Sequence, residues 1–115
     1  MRLDTILGRL DAFGVPFAHF EFEDSETNPA PEPPFIIWIQ TVTSRGPDCG
    51  PAMLEQVEVA IELYTNFPDE TLEKRLENEI LAGVDYRKFQ ATIDTENLIQ
   101  TAYEFTILQK RSIAP

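Results

Sequence analysis

The stretch FIIWIQTV, residues 35–42, is the most informative part of this sequence because it opens with five consecutive apolar residues. Its β-branched and aromatic side chains favour a strand, and an unbroken apolar run is typical of a central strand covered on both faces. The whole chain has 115 residues, enough for one domain with a single modest core. Such a domain cannot cover both faces of a broad sheet with its own side chains.

The two faces of this strand therefore have to be covered by different parts of the structure or by another molecule. Positions 35, 37 and 39 lie on one face, and Ile36 and Trp38 lie on the other. Two helices can shield only one of these faces. We expect the face with Ile36 and Trp38 to be covered either by a second subunit or by the proline-rich loop that precedes the strand. Both residues are therefore candidates for a subunit interface.

Periodic patterns on either side of this strand predict two helices and four further strands. An apolar i, i+3, i+4, i+7 spacing begins at Leu3 and stops at Gly14. A second helix is expected to have Pro68 at its first position, to bury a stripe that includes Leu76, and to end at Gly83. The five strands are predicted at residues 17–22, 35–42, 53–64, 86–93 and 98–108.

This order of elements predicts an α+β fold, with a single, mainly antiparallel sheet of about five strands and two helices packed on one face. The strands are expected to follow one another in hairpin-like fashion, and residues 1–115 form a single domain. Residues 23–34 are rich in proline and acidic side chains, which predicts an exposed loop. Residues 109–115 are expected to be a flexible tail.

Composition disfavours several classes of partner. The chain has 20 acidic and 9 basic residues and a net charge of -11, which repels phosphate backbones and anionic membranes. We find no pattern of a signal peptide or of a membrane span. The single cysteine, Cys49, cannot form an internal disulfide.

Little in the sequence points to catalysis or to a cofactor. The glycines do not cluster into a phosphate-binding loop, and the only cysteine–histidine combination is Cys49 with His19, which lacks any local signature. His19 is expected to be a partnered or solvated residue near the sheet edge. The acidic residues 21–26 lack the spacing of a calcium loop. We therefore predict that the chain is not an enzyme and has no catalytic, metal or cofactor site.

Two sets of residues are candidates for contacts with other molecules. Strand alternation places Glu58, Glu62 and Glu104 together as an acidic face. The Pro/Gly loop SRGPDCGPA, residues 44–52, contains Arg45, Asp48 and Cys49, which form a candidate partner-contact loop.

Three stretches, taken in order on a chain of this size, resemble the small tail-terminator or tail-completion proteins of phages and prophages of Gram-positive bacteria. They are PPFIIWI at residues 33–39, the segment 57–76 that includes IELYTNFPDETLEKRL, and YEFTI at residues 103–107. The likeness spans nearly all of residues 1–108. It departs from the family chiefly in residues 44–52, where related chains often carry a longer polar hairpin. This departure leaves open which loop contacts the tail tube, and whether Arg45 contacts a partner or is a solvated loop charge.

The resemblance implies a structural subunit that closes into a ring, commonly of six, and caps the tail tube or joins it to the head connector. It also implies assembly in the bacterial cytoplasm, residence in the virion, and contacts with tail-tube and connector proteins. DNA would pass through the lumen without specific binding.

Two alternatives remain open. One is an acidic DNA mimic or inhibitory binding protein of a mobile element, which would need long rows of carboxylates on one exposed face. The other is a head–tail adaptor or minor capsid component, which belongs to the same assembly class.

Overall fold

A computed structural model describes residues 2–21, 31–44 and 54–110. In these ranges the chain forms two helices and one five-stranded sheet, which is an α+β fold as expected. The strand order across the sheet is β1-β2-β3-β5-β4, and the sheet is open rather than closed into a barrel. The elements in chain order are α1 (Leu3–Phe13), β1 (Phe17–His19), β2 (Phe35–Ser44), β3 (Leu54–Thr65), α2 (Glu70–Glu79), β4 (Arg87–Ile93) and β5 (Leu98–Lys110).

The core lies between the sheet and the two helices, which pack on the same face. Strand β3 supplies every second residue to this core, because its sequence alternates between apolar and other side chains. The opposite positions of β5 contribute Tyr103, Phe105 and Ile107. The buried side chains from the other elements are Ile6, Leu10 and Phe13 of α1, Ile36 of β2, Leu72 and Leu76 of α2, and Ile80 and Leu81 after it.

Residues distant in sequence form hydrogen bonds with backbone groups at the ends of the helices. Gln109 of β5 accepts a hydrogen bond through its Oε1 from the Leu3 backbone N–H at 3.0 Å, at the start of α1. At the far end of α2, the guanidinium of Arg9 donates to the carbonyls of Ile80 at 3.0 Å and Ala82 at 2.9 Å. These contacts tie α1 both to the sheet and to α2.

Helix α2 begins later than the sequence pattern predicts. Pro68 is not its first residue, since Asp69 is the N-cap and accepts a hydrogen bond through Oδ1 from the Leu72 N–H at 3.1 Å. An aspartate at this position satisfies one of the free N–H groups of the first turn. The helix ends at Glu79, and Gly83 adopts a left-handed conformation (φ 77°) in the turn that follows.

The first strand corrects two expectations. It covers only Phe17–His19 instead of residues 17–22, because Phe20 has a φ of 71° and the Glu21 N–H donates to the His19 carbonyl at 2.9 Å. This three-residue γ-turn ends strand β1. Strand β1 also pairs with β2 in parallel and not as a hairpin, since both strands run in the same direction across the long connection between them.

The end of β5 corrects a third expectation. Gln109 and Lys110 are not part of a flexible tail, because they pair with Glu55 and Leu54 of β3. Residues 111–115 lie outside the described residues. So does most of the predicted acidic loop, of which the structure describes only residues 31–34.

Candidate functional site

The helices cover the face of β2 on which Ile36 and Trp38 lie, so the expectation that these two residues form the uncovered face is wrong. Ile36 is opposite Leu63 of β3 and is 0% exposed. Trp38 is opposite Ile61 and packs against the core as a half-buried side chain. A residue without exposed surface cannot contact another subunit in this conformation.

The other face of the sheet has neither helix over it, and we call it the open face. Strand register defines its members, because residues directly opposite each other point to the same side. Ile37 lies on this face yet is largely buried by its neighbours, and the rings of Phe35 and Tyr64 stack at 5.0 Å. The open face includes Phe35, Ile37, Ile39, Thr41, Gln56, Glu58, Ala60, Glu62, Tyr64, Arg87, Phe89, Ala91, Gln100, Ala102, Glu104, Thr106 and Leu108.

A short polar chain crosses one end of the open face. The Tyr64 hydroxyl donates to Oε1 of Glu62 at 3.0 Å and accepts from Nε2 of Gln100 at 3.0 Å. Burial, with the neighbouring Glu62 carboxylate, raises the pKa of Tyr64 to about 12. The hydroxyl is therefore a neutral donor at physiological pH, and it orients the Glu62 carboxylate on the sheet.

The predicted acidic face coincides with the open face. Glu58 and Glu62 alternate along β3, and Glu104 is opposite Ala60, so all three carboxylates are on the same side. Arg87 lies beside them, with its Nη2 3.9 Å from Oε1 of Glu104. The sequence pattern thus grouped these acids correctly, because period-two alternation fixes side-chain direction within a strand.

Small side chains in the middle of the open face leave a shallow concavity of about 300 Å³. Its lining includes Ala60, Ile39, Glu58, Glu104 and Arg87. Such a surface offers apolar area beside carboxylates, which suits contact with another protein better than it suits a buried reaction.

A second polar cluster, which the sequence did not reveal, lies on the helix side of β4. Nζ of Lys88 is 2.8 Å from Oε1 of Glu73 and 2.8 Å from Oε2 of Glu77, both on α2. The Tyr103 hydroxyl donates to Oε2 of Glu77 at 2.8 Å. The only available signal was a tyrosine in the core stripe of β5, since a buried hydroxyl needs a partner.

These contacts set the protonation of the cluster. Burial alone would raise the pKa of Glu77, but hydrogen bonds from Lys88 and Tyr103 outweigh it and lower the pKa below its ordinary value. Burial would lower the pKa of Lys88, yet Glu73 and Glu77 raise it. Burial also raises the pKa of Tyr103, with Glu77 adding to the effect. The cluster therefore holds one cation between two carboxylates and fastens β4 to α2.

The remaining predicted residues divide into two groups. Arg45, Asp48 and Cys49 lie outside the described residues. His19 lies on the edge strand β1, as expected, and its ring stacks on Trp38 at 4.1 Å with an interplanar angle of 14°.

Within the described ranges, no group of three or more His, Cys, Asp or Glu residues could hold a metal ion. None of the helices in the described part of the chain has the length and apolar character needed to cross a membrane. Comparison with protein-family models and with curated proteins found no match to this chain.

Proposed function

We propose that this chain is a structural protein of a phage tail, forming a ring that caps the tail tube or joins it to the head connector. The observation that supports this most is the open face, a sheet surface without a helix that combines an apolar row with carboxylates. The resemblance of the chain's sequence to tail-terminator proteins is the reason why we propose a phage tail as the assembly.

The open face is suited to a permanent contact. The side chains of Phe35, Ile37 and Ile39 form an apolar row on β2, and Phe89 on β4 is half exposed. Ile37 is already buried, so the water contact that remains is with Phe35, Ile39 and Phe89. That contact is unfavourable, and burying it against a neighbouring protein removes its cost. The described helices are already committed to the opposite face. A neighbour in an assembly would therefore supply the missing layer.

The charge distribution is compatible with a tail component. Carboxylates repel the DNA backbone, so an acidic subunit lets DNA pass through a ring without retaining it. In this proposal the partners are further copies of the chain and the tail-tube and connector proteins. Assembly takes place in the bacterial cytoplasm, and the mature protein resides in the virion.

The two alternatives differ in what they require. A DNA mimic needs long rows of carboxylates, whereas the described part of the open face carries three glutamates with Arg87 among them. A head–tail adaptor or minor capsid protein would use the same kind of surface. The phenotype of a phage that lacks the gene is therefore needed to distinguish such a protein from a terminator.

The test is complementation of a phage that lacks this gene. We expect tails of uncontrolled length in the deletion strain, and normal tails when the natural gene or Thr71→Glu is supplied. Ile39→Glu adds the same charge on the open face and is expected to fail. Thr71, exposed on α2, is the matched control. Circular dichroism melting of both variants confirms that they fold.

Three outcomes would contradict the proposal or part of it. Normal tails and infectious particles in the deletion strain would remove a tail function altogether. Tails of normal length that fail to join filled heads would instead favour the adaptor. If Ile39→Glu complements as well as Thr71→Glu, the open face is not the contact surface.

A further inference from the structure

The sheet ends in two different open edges. One is the outer side of β4, whose only strand partner among the described residues is β5. The other is the part of β2 that extends beyond β1, since β1 pairs only with positions 36–38. We call these the β4 edge, Arg87–Ile93, and the β2 edge, residues 40–44.

On the side of β1, the described part of the chain pairs with β2 only as far as Phe20. The last contact along this side is the Phe20 N–H, which donates to the Trp38 carbonyl at 3.1 Å. The γ-turn at Phe20 then ends the pairing. Backbone groups of alternate residues point to the same side of a strand, so those of Gln40, Val42 and Ser44 follow Ile36 and Trp38 toward this edge. No described strand pairs with them there.

The β2 edge also lacks the usual protection. Natural sheets protect their edges with charged side chains, proline or bulges, whereas the β2 edge reads QTVTS, without charge or proline. Val42, on the β2 edge, is 48% exposed, and Phe20, next to this edge, is 62% exposed. Phe89, on the β4 edge, is 49% exposed. Three of the five exposed large apolar residues in the described ranges therefore lie at the two edges.

We propose that β4 of a second copy pairs with the β2 edge and so continues the sheet from one subunit into the next. This inference rests on the proposed function and identifies the contact that would close the ring. Because the two edges are different surfaces, their pairing is heterologous and can repeat around an axis. Pairing of β2 with β2, or of β4 with β4, would end at a dimer.

Charge favours this pairing over the two symmetric ones. Strand β4 carries Arg87 and Lys88 and no acidic residue. Strand β3, which lies next to the β2 edge, carries Glu58 opposite Thr41 and Glu55 opposite Ser44. Lys88 is already held by Glu73 and Glu77, but Arg87 has a side chain that is 78% exposed. A β4 strand docked on β2 brings Arg87 toward the acidic β3 strand, which lies about 10 Å away across two strand spacings. Two β2 edges brought together would instead place the acidic β3 strands on both sides of the contact.

Thiol crosslinking between singly substituted copies tests the pairing. In a Cys49→Ser background, one population carries Val42→Cys and another carries Thr92→Cys, both exposed and both on the helix side of the sheet. They are mixed at high protein concentration and treated with a short thiol–thiol crosslinker. We expect mixed 42–92 dimers at a yield several-fold above that of a Val42→Cys and Thr71→Cys mixture, which controls for random collisions.

Crosslinks confined to 42–42 or 92–92 pairs would overturn the proposal in favour of symmetric pairing, and a yield equal to the control would also overturn it. A second variant, Val42→Lys, is expected to abolish ring particles in electron micrographs while its melting temperature stays within the range of Thr71→Lys. Rings that persist in Val42→Lys would contradict the edge pairing and leave the proposed function intact. Normal tails in the deletion strain would overturn the function itself.

Discussion

Lys88 illustrates how one side chain holds two elements of this fold together. Its ammonium contacts Glu73 and Glu77 at 2.8 Å each, and it is 39% exposed while the Glu73 side chain is 8% exposed. A buried carboxylate is tolerated only when it is paired. Without Lys88, two neighbouring carboxylates on α2 would face β4 with no cation between them.

We therefore predict that Lys88→Met lowers the free energy of unfolding at pH 7 by about 1–2 kcal/mol, less than the roughly 3–5 kcal/mol for a fully buried broken pair because the lysine is partly solvated. The matched control is Lys74→Met, an exposed residue of α2 with the same change in charge. Urea denaturation of both variants measures the difference. Equal stabilities of the two variants would show that the cluster does not fasten β4.

The same cluster predicts a dependence on pH. The pKa of Glu77 is lowered in the folded protein, so its stabilising contribution is present above the ordinary carboxyl pKa and is lost as the pH falls through the folded value. In Lys88→Met the main cause of that shift is gone. We expect the stability difference between the natural protein and Lys88→Met to shrink as the pH is lowered from about 6 to about 3. Urea denaturation across this range measures it, and a constant difference would contradict the assignment.

Helix α2 shows what a local signal can and cannot specify about an element. The sequence pattern identified the helix and its buried stripe, because apolar residues recur at helical spacing. Its first residue was misplaced, since both Pro68 and Asp69 are favourable near a helix start. The observed hydrogen bond from Leu72 N–H to Asp69 identifies the aspartate as the cap.

Removal of this cap is a test of the helix boundary. Asp69→Ala is expected to lower the free energy of unfolding by about 1 kcal/mol, because the Leu72 N–H loses its acceptor. Asp69→Asn retains the acceptor and should lose markedly less. Thermal or urea unfolding of the two variants separates these outcomes. Equal losses would assign the effect to charge and not to the cap.

The strands also show what a local sequence pattern can and cannot predict. The alternation of apolar residues along β3 and β5 matches their burial, since positions 57, 59, 61 and 63 of β3 and 103, 105 and 107 of β5 are all buried. The length and direction of β1 could not be predicted, because both depend on the turn at Phe20 and on pairing with β2. A three-residue strand contains too little alternation to identify its partner.

The net charge of -11 acts on the molecule as a whole. Repulsion among so many carboxylates favours expansion of the chain and weakens the folded state. Raising the salt concentration from about 0.01 M to about 0.15 M shortens the screening length from about 30 Å to about 8 Å.

We therefore expect the melting temperature to rise over this range of sodium chloride. Calorimetry or circular dichroism measures the change. Lys88→Met, which carries one positive charge fewer, should show an equal or larger rise. A fall in melting temperature with salt would indicate that the local ion pairs outweigh the overall repulsion.

The open face could be anticipated only in part. The number of residues predicted that one apolar face of β2 would lack cover. No described helix lies over one face, but Ile37 on that face is buried and Phe35 and Ile39 are partly buried. The identity of that face was predicted wrongly, with Ile36 and Trp38 in place of Phe35, Ile37 and Ile39. The acidic set was grouped correctly, but its position on this same face was not foreseen.

Local pattern was sufficient for the class of fold, the order of the elements and the inward side of β3 and β5, because alternation and helical spacing are properties of neighbouring residues. The choice between the two faces of β2 depends on its register against β3. A shift of one residue would reverse the direction of every side chain. Both faces of β2 are apolar, so the strand has no preference of its own. The register that places Trp38 opposite Ile61 directs the face with Ile36 and Trp38 toward the helices.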